Sequence, residues 1–224
     1  FILKNTSRAF NMVMKNSIFT PVLIVGCVII LVSFAIRSSF GVFQIPIAEE
    51  FNWLRSEFSM AIALQNLAWG IGQPIFSAIA EKIGDRRAII LGAFTYASGL
   101  LLSSKAVTPE AHQLYEILVG FGVAGTGFGV ILAVVGRASS EKNRSMSLAI
   151  ATASGSVGQV IGAPMGEFLL SYMPWQTVFI IFSISILFTL LLLPFMRVSV
   201  GEPPKTIHHN LRAMVGKAVA DPSY

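Results

Sequence analysis

The sequence predicts an all-α membrane protein whose six transmembrane helices form a 3+3 inverted repeat. Three observations carry that reading: long apolar runs, basic residues gathered on alternate loops, and two short motifs recurring at nearly one spacing. Of 224 residues, 54% are hydrophobic and 12% charged, and the mean hydropathy is +0.72. The charged share is about half that of a soluble domain. Runs of about 17 or more mostly apolar residues are long enough to cross a bilayer as helices.

Six such runs are read in order, at 19–47, 58–79, 88–104, 114–135, 146–170 and 175–196. No alternating strand pattern competes, so helices rather than a barrel are expected to satisfy the backbone in lipid. Lys4, Arg8 and Lys15 precede the first span, and Lys82, Arg86 and Arg87 lie between the second and third. Arg137, Lys142 and Arg144 follow the fourth span; Arg197, Lys205, Arg212 and Lys217 follow the sixth. Only Arg55 and Lys105 fall on the other side, so both ends are expected in the cytoplasm. The net charge of +5 is thus a topology signal, and no nucleic-acid partner is implied. The chain starts at Phe1 without an initiator Met and ends in "VADPSY", which reads as cut at both ends, with no signal peptide before the first span. The lone cysteine, Cys27, can form no intramolecular disulfide. The sequons at Asn5 and Asn143 fall on the cytoplasmic side and are read as chance matches.

The repeat rests on two alignments. "IGQPIFSAIAE" (71–81) in the second span matches "VGQVIGAPMGE" (157–167) in the fifth, pairing Gly72 with Gly158, Gln73 with Gln159, Ile75 with Ile161 and Glu81 with Glu167. "FGV" at 40–42 in the first span recurs at 128–130 in the fourth. Many carriers are built from inverted repeats of this kind. In the fifth span Ser154, Gly158, Gly162 and Gly166 recur every four residues, giving one smooth face for a close helix neighbour, while Pro164 weakens the helix. "GFGVAG" (120–125) matches a dinucleotide fingerprint only formally, because no strand precedes it; close helix packing explains it. His208 and His209 lie in a polar, proline-containing tail and read as a solvated loop. No nucleophile–base pair or metal-ligand set appears, so neither catalysis nor a cofactor has an anchor.

Arg37 lies inside the first apolar run. A guanidinium at mid-bilayer costs roughly 2.5–3.5 kcal/mol on insertion scales, so an intramembrane charge defaults to function. Ser33, Arg37, Gly41 and Gln44 are spaced as one stripe on the first helix. On the second, Gln65 and Trp69 share a face with Asn66 beside them. Facing across a cavity, these stripes would let Arg37 grip a carboxylate with two prongs. The bland alternative is a structural Arg37 that caps carbonyls or pairs with an acid on another helix. Glu116 and Glu167 are the acids near the spans, both placed toward the outer ends.

The loop "SAIAEKIGDRRAII" (77–90) resembles the cytoplasmic signature of the major facilitator superfamily. Ser77 stands at its first Gly and Glu81 at its Asp; Lys82 and Gly84 fit, Asp85 intrudes, and Arg86 and Arg87 supply the basic end. The resemblance implies a cytoplasmic gate in which a carboxylate at a helix end pairs with a basic residue on a neighbour, here Arg137. Gly158, Gly162, Pro164 and Gly166 resemble the glycine–proline stretch of the family's fifth helix. "IRSSFGVFQIPIAEEFNWLRSEFSMAIALQNLAWGIGQP" (36–74) and "RSMSLAIATASGSVGQ" (144–159) resemble bacterial carriers of the monocarboxylate-transporter-like branch. The aromatic-acidic-glycine opening of animal members is absent; the first span reads "PVLIVGCVIIL".

That resemblance implies one bundle of a twelve-helix fold. Residues 1–17 would form a cytoplasmic segment, 18–197 the first six-helix bundle and 198–224 the start of the central cytoplasmic loop, the second bundle being missing. It also implies an integral protein of a bacterial inner membrane that moves a small organic anion, such as a monocarboxylate, together with H+. The substrate site would comprise Arg37, Ser33, Gln65, Asn66 and Trp69, and the coupling acid would lie in the other bundle. Two alternatives stay open: an exporter of drugs or aromatic compounds, favoured by Trp69 and the abundant Phe, and a six-helix channel or membrane enzyme.

Overall fold

The computed structural model describes residues 18–196. The expected terminal segments, the basic residues Lys4, Arg8, Lys15, Arg197, Lys205, Arg212 and Lys217, and His208–His209 lie outside them. Among the described residues every regular element is helical.

Helix α1 (Pro21–Ser39) opens on Thr20, whose Oγ1 accepts from the Leu23 N–H at 3.2 Å, with Pro21 at a position where its missing N–H is harmless. A 3-10 turn (Phe40–Phe43) leads into α2 (Gln44–Phe51), which stops at Asn52 in the left-handed region, φ 54°. Helix α3 (Arg55–Ile83) is started by Glu57, which accepts from the Leu54 N–H at 2.7 Å. Only Gly84 separates it from α4 (Asp85–Ser103), and its φ of 92° is one that a side chain would strain.

Helix α5 (Pro109–Thr126) is capped by Thr108 and breaks at Gly127, an extended residue; α6 (Phe128–Ala138) continues the rod. Helix α7 (Arg144–Leu170) carries Pro164, and α8 (Trp175–Phe188) tightens into a 3-10 stretch (Thr189–Phe195) around Pro194.

Four of these rods, Pro21–Phe51, Pro109–Ala138, Arg144–Leu170 and Trp175–Phe195, are long and apolar enough to cross a membrane. Helices α3 and α4 are also long, at 29 and 19 residues, but are more polar than those four. Expected and observed helix limits differ chiefly at charged ends: α3 and α4 extend through Arg55, Lys82 and Asp85, where an apolar run is no longer readable.

Helix α1 lies along α7, α3 along α5, and α4 between α5 and α8. Glycines make the closest seams. A Cβ at Gly158 or Gly162 would strike the Leu31 or Ala35 carbonyl of α1, and one at Gly166 would meet Val42 and Ser39. "GFGVAG" packs the same way, with Gly120 on Gln65, Gly122 on Tyr96 and Gly125 on Gly92. Two apolar cores result. One gathers Val25, Ile29, Phe76, Ile89 and Val134, the other Phe43, Phe58, Tyr96, Trp175 and Phe179, and Trp69 packs against both. Exposed Leu67, Ile71, Val157, Val160, Phe188 and Leu191 suit a hydrocarbon surround.

Candidate functional site

Three residues expected to act together do meet. Half-buried Arg37 on α1 donates from Nη2 to Oδ1 of Asn66 on α3, and its guanidinium carbon stands 4.5 Å from the centre of the Trp69 ring. Asn66 is itself fixed, because its Nδ2 donates to the Ile62 carbonyl at 2.9 Å. Trp69 is held from behind by the edge of Phe34, with ring centroids 5.7 Å apart. This stacking suits a guanidinium, which is planar and weakly hydrated. Among the described residues Arg37 forms no ion pair, and two buried donors, Arg37 Nε and Trp69 Nε1, have no hydrogen-bond partner.

Ser33 and Gln65 do not join this group. Ser33 is fully buried, bonded to Thr126 Oγ1 at 2.9 Å, and its carbonyl accepts from the Tyr96 hydroxyl at 3.1 Å. Gln65, 1% exposed, points at α5 and donates to Glu116 at 2.7 Å. Both belong to the bundle interior rather than to a pocket wall. The stripe that suggested them twists: each step of four residues overshoots a full turn by about 40°. Ser33 therefore faces inward while Gly41 is exposed.

Glu116 was missed as an interior group. It lies fully buried between Gln65 and Ser103, whose Oγ donates to it at 2.8 Å, and since Ser103 is the last residue of α4, Glu116 stands toward the end of α4 away from Asp85. One turn away, His112 is also buried. A histidine and an acid four apart, at the start of the fourth apolar run, were the available signal.

At the opposite end of α4, the partner of Arg137 is Asp85 at 2.5 Å, not Glu81. Asp85 stands in the first turn of α4, where the helix dipole favours an anion, whereas Glu81 is exposed. Lys82, Gly84, Arg86 and Arg87 are exposed around them, and Arg144 Nε ties the start of α7 to the Gly136 carbonyl at 3.1 Å. Because the pair is partly exposed, Asp85→Asn and Arg137→Gln are expected to couple by about 0.5 kcal/mol in a denaturation double-mutant cycle. Glu81→Gln should show no coupling to Arg137; the reverse pattern would refute this pairing.

An apolar groove of about 480 Å³ between α1 and α8, lined by Val28, Val32, Ile184 and Phe188, contains none of these polar groups.

Known proteins of similar sequence point one way. Bovine monocarboxylate transporter 13 is 30% identical over 145 residues, 64% of this chain and 33% of that protein. The uncharacterized MFS-type transporter YcxA of Bacillus subtilis is 25% identical over 171 residues, 75% of this chain and 41% of that one. The methyl viologen resistance protein SmvA of Salmonella typhimurium is 26% identical over 132 residues, 59% and 25% respectively. The chain thus spans about a third of the length of the curated relatives it matches. The family model for the Major Facilitator Superfamily aligns with residues 25–220, nearly the whole chain. Helices long and apolar enough to cross a membrane and that alignment agree: the chain is an integral membrane protein belonging to the Major Facilitator Superfamily.

Proposed function

We propose that this chain is the substrate-recognising part of a secondary active transporter that moves a small organic anion, a monocarboxylate, together with a proton by alternating access. The carrying observation is Arg37: a cation within a spanning helix with no acidic partner among the described residues, whose own Nε and the neighbouring Trp69 Nε1 lack acceptors. A carboxylate supplies both the missing charge and the missing acceptors. Asn66 and Trp69 hold the guanidinium in place, while Ser33 and Gln65 brace the helices behind it. The name of the monocarboxylate transporter relative agrees with that substrate class.

The reading includes six spanning helices as a 3+3 repeat, in a bacterial inner membrane, with both ends of this region cytoplasmic and a second bundle completing the pathway. Supporting the repeat, matched Gly72 and Gly158 sit in corresponding seams, the first against Phe121 and Ala124 of α5, the second against Leu31 and Ala35 of α1. Both rods that carry "FGV" are interrupted at that motif. The glycine seams of α7, the Asp85–Arg137 contact and the basic residues around it fit a gate at the cytoplasmic end. The alternative is an exporter of drugs or aromatic compounds; a cationic cargo such as methyl viologen, the compound in the name of the relative SmvA, would lie beside the like charge of Arg37.

The test is uptake by the complete protein in proteoliposomes. Labelled pyruvate and lactate are expected to accumulate, faster with an inward proton gradient. Transport of a lipophilic cation with neither acid moving would overturn the assignment.

A further inference from the structure

Glu116 presents chemistry that the anion site does not use. Its Oε1 accepts from Ser103 Oγ of α4 at 2.8 Å and its Oε2 from Gln65 Nε2 of α3 at 2.7 Å, so it pins three helices together. Both donors are neutral. One turn toward the N-terminal end of α5, His112 is 1% exposed between the rings of Trp53 and Phe58, at centroid distances of 5.7 and 5.5 Å. Neither of its ring nitrogens has a hydrogen-bond partner.

The other titratable groups on the packed elements are engaged elsewhere or exposed. Arg37 of α1 is held by Asn66 and Trp69, and Glu57 of α3 accepts from the Leu54 N–H. Tyr96 of α4 donates to the Ser33 carbonyl, and Arg137 of α6 pairs with Asp85. Lys105 and Glu110 are exposed near the α4–α5 connection, and Tyr115 on α5 is half-buried. None lies within hydrogen-bond or ion-pair distance of Glu116.

We propose that Glu116 is a proton-binding site of this carrier, reached through His112. A group needed only to tie α3, α4 and α5 together could be an amide; what a carboxyl adds is a removable proton. The surroundings accommodate both states. With the proton on Oε1, the bond to Ser103 reverses, since a hydroxyl both donates and accepts, while the Gln65 amide goes on donating to Oε2. A neutral imidazole with two unengaged nitrogens accepts a proton on one and releases the proton of the other. In the transfer an N–H bond of the imidazolium breaks and an O–H bond forms on Glu116, leaving both groups neutral. A carboxyl that alternates between this dry setting and a wetted one changes its proton affinity, which is what coupling requires. The link to the cargo is short: Gln65, on Glu116, adjoins Asn66, on Arg37. A proton at one site and an anion at the other cancel in charge. This inference rests on the anion–proton reading of the function.

The test has two arms on the complete protein. Infrared difference spectra across a pH titration are expected to contain the carbonyl stretch of a buried carboxylic acid, absent from Glu116→Gln and moved in frequency by Ser103→Ala. In proteoliposomes, Glu116→Gln should lower the ratio of gradient-driven pyruvate uptake to pyruvate exchange by roughly tenfold. His112→Phe should lower the same ratio. A ratio unchanged in Glu116→Gln overturns the proposal; should that variant not fold, a carbonyl band unmoved by Ser103→Ala does so. A wild-type protein that carries no carboxylate overturns the function instead, and the infrared arm then still reads Glu116 by itself.

Discussion

Replacing Arg37 with Ala is expected to weaken pyruvate binding by the complete protein about a hundredfold. Truncating one partner of a desolvated, hydrogen-bonded charge pair costs about 2–5 kcal/mol, and about 3 kcal/mol corresponds to that factor in Kd. The geometry justifies an effect within that range. Arg37 is pre-oriented by Asn66 and stacked on Trp69, so little of its freedom remains to be lost when an anion arrives. Arg37→Lys keeps the charge but gives up the planar fork and the stacking, and should fall between wild type and Ala. Titration calorimetry or uptake kinetics read the series directly. An Ala variant with unaltered pyruvate affinity would mean that Arg37 is a structural group after all.

Gly162→Val should abolish or nearly abolish folding, by about 3 kcal/mol or more. A Cβ at this position meets the Ala35 carbonyl and the Ser38 hydroxyl of α1. A backbone carbonyl within a helix cannot swing aside as a side chain can, so relief would need α1 and α7 to separate along their shared seam. Gly136→Ala is the matched control: its nearest neighbour would be a Leu148 methyl at 3.7 Å, ordinary contact, and the change should stay within about 0.5 kcal/mol. Fluorescence-detected gel filtration after graded heating separates the two. Equal behaviour would show that the seam is looser than its geometry.

What the sequence revealed and what it concealed divide along a physical line. The helices were readable because burial in lipid demands long apolar runs, and Arg37 stood out against them as a charge. Asn66 and Trp69 followed, since they need only a helix facing α1. Partners remote in sequence were not readable. Gln65 meets Glu116 across 51 positions and Arg137 meets Asp85 across 52, and periodicity orients a side chain without naming the neighbour it finds. The acid that meets Arg137 was misplaced for the same reason. The loop pattern favoured Glu81, while the left-handed turn at Gly84 presents Asp85 to α6.

The interruption at Gly127 turns α6 into a lever. Arg137 stands near its C-terminal end, about 15 Å from Gly127 at 1.5 Å per residue. On an arm of that length a tilt of about 10° displaces the guanidinium by about 2.6 Å. That displacement matches the length of the 2.5 Å contact between Arg137 and Asp85. A tilt of that size at one glycine, deep in the rod, would therefore be enough to part Arg137 from Asp85.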